Sequence, residues 1–236
     1  MDKKNIQAWI FVRGDSMGLP GKNVMPLCGK PLIAYTIETA KKSRFIKDVF
    51  VSTDSPTIAA CAEQYGAIIP FLRPAELCDI MVPCHSAWCH AIEWNRNQKE
   101  FPAMDIMVSL PVTTPLRTAE EIDRAIELYS AGDCDSVIAV APSNRHPAYD
   151  MVFVDENGNA QLCQENENPL ARTRTSKAYD ITNLIHVSST DYIMQNPNYL
   201  NGRVKTIQVP REHGLDIKDI WDFKLAEIIL KESSNQ

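Results

Sequence analysis

Short apolar runs alternate with amphipathic helical patterns along this 236-residue chain, which predicts a Rossmann-like three-layer α/β sandwich with a mostly parallel sheet. Two more observations support that class. The first apolar run passes directly into a polar, glycine-bearing loop, as happens at the carboxyl end of a strand that opens a ligand site. After Pro142 the pattern changes to short strand-like runs around Asn157-Gly158. This predicts a small hairpin-containing insertion, over residues 143–182, in a single domain spanning 1–236.

The elements follow in order. IQAWIFV, between Asn5 and Val12, reads as a buried strand. A helix starting at Pro31 carries an apolar stripe of Leu32, Ile33, Ile37 and Ala40, with Lys41 and Lys42 suiting its carboxyl end. DVFVS, from Asp48 to Ser52, is the second strand. Ser55 as cap, Pro56 in the first turn and Gly66 past the end bracket the next helix. AIIPF from Ala67 is expected as a strand, the segment around Trp88 to Trp94 as a helix, and DIMVSL from Asp105 as a strand. Thr118 and Glu121 form a capping-box pattern on a helix that stops at Gly132. A strand begins at Ser136, the Asn157-Gly158 pair predicts a tight hairpin, and strands near 184–188 and 204–209 return to the core. The last helix covers about 220–230.

Composition narrows the function. With 44% hydrophobic residues the chain supports a substantial core, and its net charge of −6 argues against a general nucleic-acid surface. No apolar run approaches the roughly 20 residues that cross a bilayer. The polar start MDKKN lacks the order of a secretion signal, so a cytoplasmic location without membrane partners is expected. Seven cysteines without a Cys-x-x-Cys pair fit reduced thiols. In CHSAWCH, helical spacing puts His85 and Cys89 on one face, but nothing nearby completes a zinc site.

The strongest chemical signal is RGDSMGLPGKN, from Arg13 to Asn23. Gly14, Gly18 and Gly21 let backbone N–H groups turn inward, while Arg13 and Lys22 supply charge for phosphate oxygens. It lacks the G-K-[ST] ending of a Walker loop and the spacing of a dinucleotide fingerprint. Further along, TTPLRT offers hydroxyls at Thr113 and Thr114 and a guanidinium at Arg117, suited to a carboxylate or hydroxyl-rich ligand. Arg172 and Arg174 lie on a polar loop. Asp54 stands at a strand end where it can prepare the next helix. His146 and His186 have no partner at the spacing of a nucleophilic triad.

RGDSMGLPGKN resembles the opening motif of the acylneuraminate cytidylyltransferases. The resemblance continues in order through GKPLIAYTIE, VSTDSPTIAACAEQYGA, FLRPAEL, TTPLRT and LDIKDIWDFKLAE, covering most of the chain. It implies a nucleotidyltransferase that joins CTP to a 2-keto sugar acid with help from Mg²⁺, giving the CMP-sugar and pyrophosphate. By resemblance Arg13, Gly14, Ser16, Lys22, Asn23 and Arg73 hold the nucleotide, Arg13 and Lys22 being catalytic. Thr113, Thr114, Arg117, Arg172, Tyr179 and Asn183 take the sugar, and Asp216 takes the metal. A homodimer bridged by the hairpin segment is also implied.

Several positions depart from that pattern. Met17 stands where Lys is usual, Pro111-Val112 replaces Gln-Pro, and His186 ends a segment that usually reads Asn-Gly-Ala-Ile-Tyr. Lys218 occupies the second Asp of an Asp-x-Asp metal pair, and an ammonium group repels Mg²⁺. Three readings follow: Asp219 substitutes, Lys218 replaces a metal's charge, or the chain binds nucleotide or sugar without normal turnover. A 3-deoxy-manno-octulosonate substrate is the alternative acid. A glycosyltransferase reading through Asp133-Cys134-Asp135 is disfavoured, because that spelling precedes a strand instead of following one.

Overall fold

In the first strand, β1 (Ile6–Phe11), Ala8 and Ile10 face one side and Trp9 the other, and all three are fully buried. Such two-sided burial marks a central strand in a sheet covered on both faces. The computed structural model describes residues 4–15, 18–165 and 177–233. After β1 the chain forms a small ladder of β2 (Pro26–Leu27) and β3 (Lys30–Pro31), then α1 (Leu32–Lys41), β4 (Val49–Ser52) and α2 (Pro56–Gln64). Next come α3 (Cys84–Asn97), β5 (Ile106–Ser109), α4 (Ala119–Ser130) and β6 (Ser136–Pro142). The chain ends with β7 (Val152–Val154), β8 (Ala160–Leu162), β9 (Tyr179–Ser189), α5 (Thr190–Gln195), β10 (Val204–Gln208) and α6 (Ile220–Ser233).

The main sheet has six strands in the order β10-β6-β9-β5-β1-β4. Five run parallel, whereas β9 lies antiparallel between β5 and β6. One face packs Ile10, Val51 and Val108 against α1, α2, α4 and α6, through Ile37, Ile58, Ile126 and Phe223. The other carries an aromatic cluster in which Trp9 stacks on Phe50 at 4.8 Å, covered by α3 and α5 through Ile92 and Ile193.

Local chemistry accounts for the helix ends. The Ser55 hydroxyl caps α2 by accepting from the Ile58 amide, with Pro56 in the first turn. Both halves of the Thr118/Glu121 capping box form.

Three expectations change. The segment from Ala67 makes only single bridges, Ile68 to Phe50 and Leu72 to Thr53, because Pro70 has no N–H to continue a ladder. The hairpin turn is not the tight two-residue kind: β7 and β8 are joined by 155–159, whose Asp155 Oδ1 accepts from the amides of Asn157 and Asn159. Gly158, at φ 83°, takes the left-handed position there. The strand expected over 184–188 is eleven residues long, since its first half pairs with β6.

Candidate active site

The carboxyl ends of the parallel strands converge on one edge of the sheet, and the amino end of antiparallel β9 meets them there. The loop after β1 comes first. Asp54, just past β4, accepts from the Gly14 amide at 2.8 Å, and the Asn23 side-chain amide donates to the Arg13 carbonyl at 3.0 Å. Arg73 is buried and donates to the Val12 carbonyl at 2.6 Å, so it braces the root of this loop. Arg13 donates to the Cys78 carbonyl at 3.4 Å. Arg13, Arg73, Phe11 and Cys84 line a pocket of about 250 Å³. Ser16 and Met17 fall outside the described residues.

Lys22 sits between this loop and the turn before α6. Its ammonium donates to the Ile217 carbonyl at 2.7 Å, and burial lowers its pKa, against the opposing fields of Asp216 and Asp222. Gly18 touches the same turn: a Cβ there would lie 2.3 Å from the Lys218 carbonyl oxygen, so only glycine lets the two segments meet.

The third part is a bulge in β9. His186 pairs with Ile138 whereas Thr182 pairs with Ala139, so residues 183–185 are extra to the ladder. Asn183 is thereby turned out, and its side-chain amide donates to the Asp216 carboxylate at 2.9 Å. Its carbonyl accepts from the Thr114 hydroxyl at 3.0 Å, while the Ile217 amide donates to the Thr113 carbonyl at 2.8 Å. A polar pocket of about 350 Å³ opens here, lined by Asp180, Asn183, Arg211, Asp216, Lys218 and Asp222 among others. Sharing lining residues with both this pocket and the arginine-flanked one is a third, more apolar pocket of about 290 Å³, walled by Phe11, Trp88, Ile138, Ile185, His186 and Tyr199 among others.

The expected site residues therefore fall into distinct groups. Arg13, Gly14, Lys22, Asn23, Arg73, Asn183 and Asp216 gather around connected pockets. Apart from the buried Arg117 Nε, the polar groups of Thr114 and Arg117 are bonded within the chain, which corrects their reading as direct sugar contacts. Both are buried, and Arg117 donates to the Pro111 carbonyl, the Thr114 hydroxyl and the Thr36 hydroxyl. Burial depresses the Arg117 pKa to about 9, with Glu121 opposing. The pair is a brace that holds the 111–117 loop against the bulge. Tyr179 opens β9 opposite Pro142, apart from the residues lining the three pockets. Arg172 and Arg174 lie outside the described residues.

At Lys218 the substitution by Asp219 is also corrected. Asp219 Oδ1 accepts from the amides of Trp221 and Asp222, so it caps α6, and it does not line the polar pocket. Asp222 does, one helical turn later, and sequence reasoning missed it. Its signal was the spacing of Asp219 and Asp222 at a helix start, where an acid three residues in folds back toward the cap. A hard dication suits what is present. Asp216 and Asp222 are oxygen donors in one polar pocket, and Mg²⁺ commonly takes one or two carboxylates with phosphate and water.

Two histidine readings resolve differently. His85 and Cys89 do meet, at 3.6 Å, and the His85 ring N–H donates to the Ile193 carbonyl. Among the described residues no group of three His, Cys, Asp or Glu is placed to hold a metal. His186, a lone histidine in the sequence, instead forms part of a pocket wall.

A glycine-bearing, cation-flanked loop at the carboxyl edge of a mostly parallel sheet, facing a carboxylate across a cleft, defines an α/β nucleotidyltransferase. Residues 8–232 match the family model described as cytidylyltransferase. The chain belongs to that family, in the branch of the acylneuraminate and related nonulosonate enzymes. It is 31% identical to CMP-N,N'-diacetyllegionaminic acid synthase of Legionella pneumophila, over 96% of each chain. It is 27% identical to the post-translational flagellin modification protein B of Campylobacter coli, over 96% of this chain and 95% of that one. In fold it resembles CMP:2-keto-3-deoxy-manno-octonic acid synthetase complexed with CTP, with a TM-score of 0.73 and 15% identity over 98% of this chain and 100% of the other. Among the described residues no helix is long and apolar enough to cross a membrane.

Proposed function

We propose that this cytidylyltransferase moves CMP from CTP to the anomeric hydroxyl of a sialic-acid-like 2-keto sugar acid, releasing pyrophosphate. The observation that carries the reading is the joining of the phosphate loop to the turn holding Asp216, through Lys22 and Gly18. The acid's hydroxyl oxygen bonds to the α-phosphorus as the bond to the β-phosphate oxygen breaks, and the proton leaves with solvent or a nearby base. Arg13, Lys22 and the amides of the glycine loop suit neutralisation of the charge growing on the leaving pyrophosphate. Asp216, with Asp222 beside it, is the expected holder of Mg²⁺, which when bound supplies further positive charge against the triphosphate.

The arginine-flanked pocket suits the nucleotide, and the two pockets about Asn183 suit the acid. Two copies are expected to associate through the exposed apolar residues of β7 and β8, and the reaction is expected in the cytoplasm, where CTP is available. A second reading, binding without normal turnover, is favoured by one observation: Lys218 lines the polar pocket where the family pattern has a carboxylate.

Pyrophosphate release with each NTP, Mg²⁺ and a panel of nonulosonic and octulosonic acids separates the two. Release requiring CTP and a nonulosonic acid is expected. CTP binding without release from any pair, restored by Lys218→Asp, would establish the second reading.

A further inference from the structure

Asp216 belongs to no helix or strand, so its place depends on how the connection between β10 and α6 is held. One anchor follows it directly, where the Ile217 amide donates to the Thr113 carbonyl and the Ile217 carbonyl accepts from Lys22. A second anchor precedes it. Arg211, Gly214, Leu215 and Asp216 all line the polar pocket, whereas His213 lines none of the three. Its ring turns the other way, with Nδ1 2.7 Å from Glu121 Oε1 in the first turn of α4.

Glu121 is buried and does two things at once. Its Oε2 accepts from the Thr118 amide and completes the capping box of α4. A cap requires only that oxygen. The other oxygen meets a residue 92 positions away in the chain. A carboxylate at a helix amino end, within the field of the Arg117 guanidinium, is an acceptor, so the His213 Nδ1 carries the hydrogen. Leaving that buried oxygen without a donor is costly, which keeps the pair closed.

The ring's position is passed to the backbone around it. The His213 and Gly214 amides donate to the Pro210 carbonyl and the Leu215 amide to the Glu212 carbonyl, so the turn before Asp216 is compact. Its opposite side rests on β9, where a Cβ on Gly214 would come within 2.5 Å of the Thr182 methyl, next to the bulge that presents Asn183. The turn is thus pinned between α4 and β9. The first turn of α4 also neighbours Arg117, which reaches Asn183 through Thr114, so one buried carboxylate stands behind both partners of the Asn183–Asp216 bond.

We propose that His213 is a positioning residue, whose bond to Glu121 sets the 210–216 segment so that the Asp216 carboxylate faces the nucleotide-bound cation. This deepens the cytidylyltransferase reading above and rests on Asp216 as the holder of that cation.

The test reads metal-linked CTP binding with no sugar acid present, so no turnover is needed. CTP dissociation constants are measured by calorimetry with Mg²⁺ and with EDTA, for the wild type, His213→Leu and His213→Asn. His213→Leu is expected to weaken CTP binding about ten-fold with Mg²⁺ and to leave the EDTA value unchanged. His213→Asn, whose amide N–H takes the place of Nδ1–H, should recover most of the loss. Ile126→Val, which trims the core beneath α4 without touching the pair, serves as a stability control and should lower Tm while leaving both constants alone. If the wild type shows Mg²⁺-linked CTP binding but releases no pyrophosphate with any acid, the catalytic reading fails and the positioning claim is still decided by these constants. The proposal is overturned by a wild type whose CTP binding ignores Mg²⁺, by a His213→Leu loss that is equal in EDTA or absent, or by a loss that His213→Asn does not recover.

Discussion

Single side chains in this cleft are set by what burial does to their charge. Lys22 pays for its place through desolvation and is held there by the Ile217 carbonyl and the fields of two aspartates. His186 has no such partner. Its folded pKa of about 4 lies below the ordinary value of 6.5, and burial is the sole cause. The unfolded chain therefore binds more protons between those values, and stability falls as pH drops from 6.5 toward 4. The slope is about 1.4 kcal/mol per pH unit, reaching about 3 kcal/mol near pH 4. Urea unfolding between pH 4 and 7 should show this loss in the wild type, and a flatter profile over that window in His186→Phe.

Elements matter here mainly where they touch. The loop after β1 is held by Asp54 from β4's end, by Asn23 from within, and by the Lys218 backbone pressing on Gly18. Gly18→Ala puts a methyl 2.3 Å from the Lys218 oxygen, so the loop and the turn must separate. A misplacement near 1 Å costs about 100-fold in rate. Steady-state assays should show kcat/KM falling on that order, with thermal denaturation moving far less because the main core is untouched. Wild-type kcat/KM in the variant would mean the contact is not needed for catalysis. The bulge in β9 is the companion device: residues 183–185 turn Asn183 toward Asp216, and the buried Arg117–Thr114 brace fixes the neighbouring loop against it.

At the scale of the whole molecule, most large apolar side chains are enclosed on the two faces of the sheet, but the β7–β8 hairpin is an exception. Val152, Phe153 and Val154 are 50%, 69% and 64% exposed, and Met151 and Leu162 add to the patch. Strand alternation puts Val152, Val154 and Leu162 on one face of the hairpin and Phe153 on the other, and apolar side chains exposed on a hairpin are a usual place for a symmetric partner to pack. Under the pairing proposed above, the wild type is expected to be a dimer in light scattering at micromolar concentration and Phe153→Asp a monomer, while circular dichroism stays that of the folded chain; a monomeric wild type would remove the pairing. A dimer of unchanged affinity would move the interface elsewhere.

The sequence by itself determined the alternation of elements, the helix caps at Ser55 and Thr118, and the cation-bearing glycine loop, because each depends on residues within a few positions of one another. Through the family resemblance it also pointed to Asp216 and Asn183. Only the tertiary structure decided what those residues touch, since the partners are far apart in the chain: Lys22 with Ile217, Gly14 with Asp54, Asn183 with Asp216. It turned Arg117 from a ligand contact into a buried brace, made Asp219 a cap and brought Asp222 into the pocket instead. It also set His186 between Trp88 and Tyr199. Burial and orientation arise from packing across the sheet, and no local pattern encodes which polar group will be left facing a cavity without a partner.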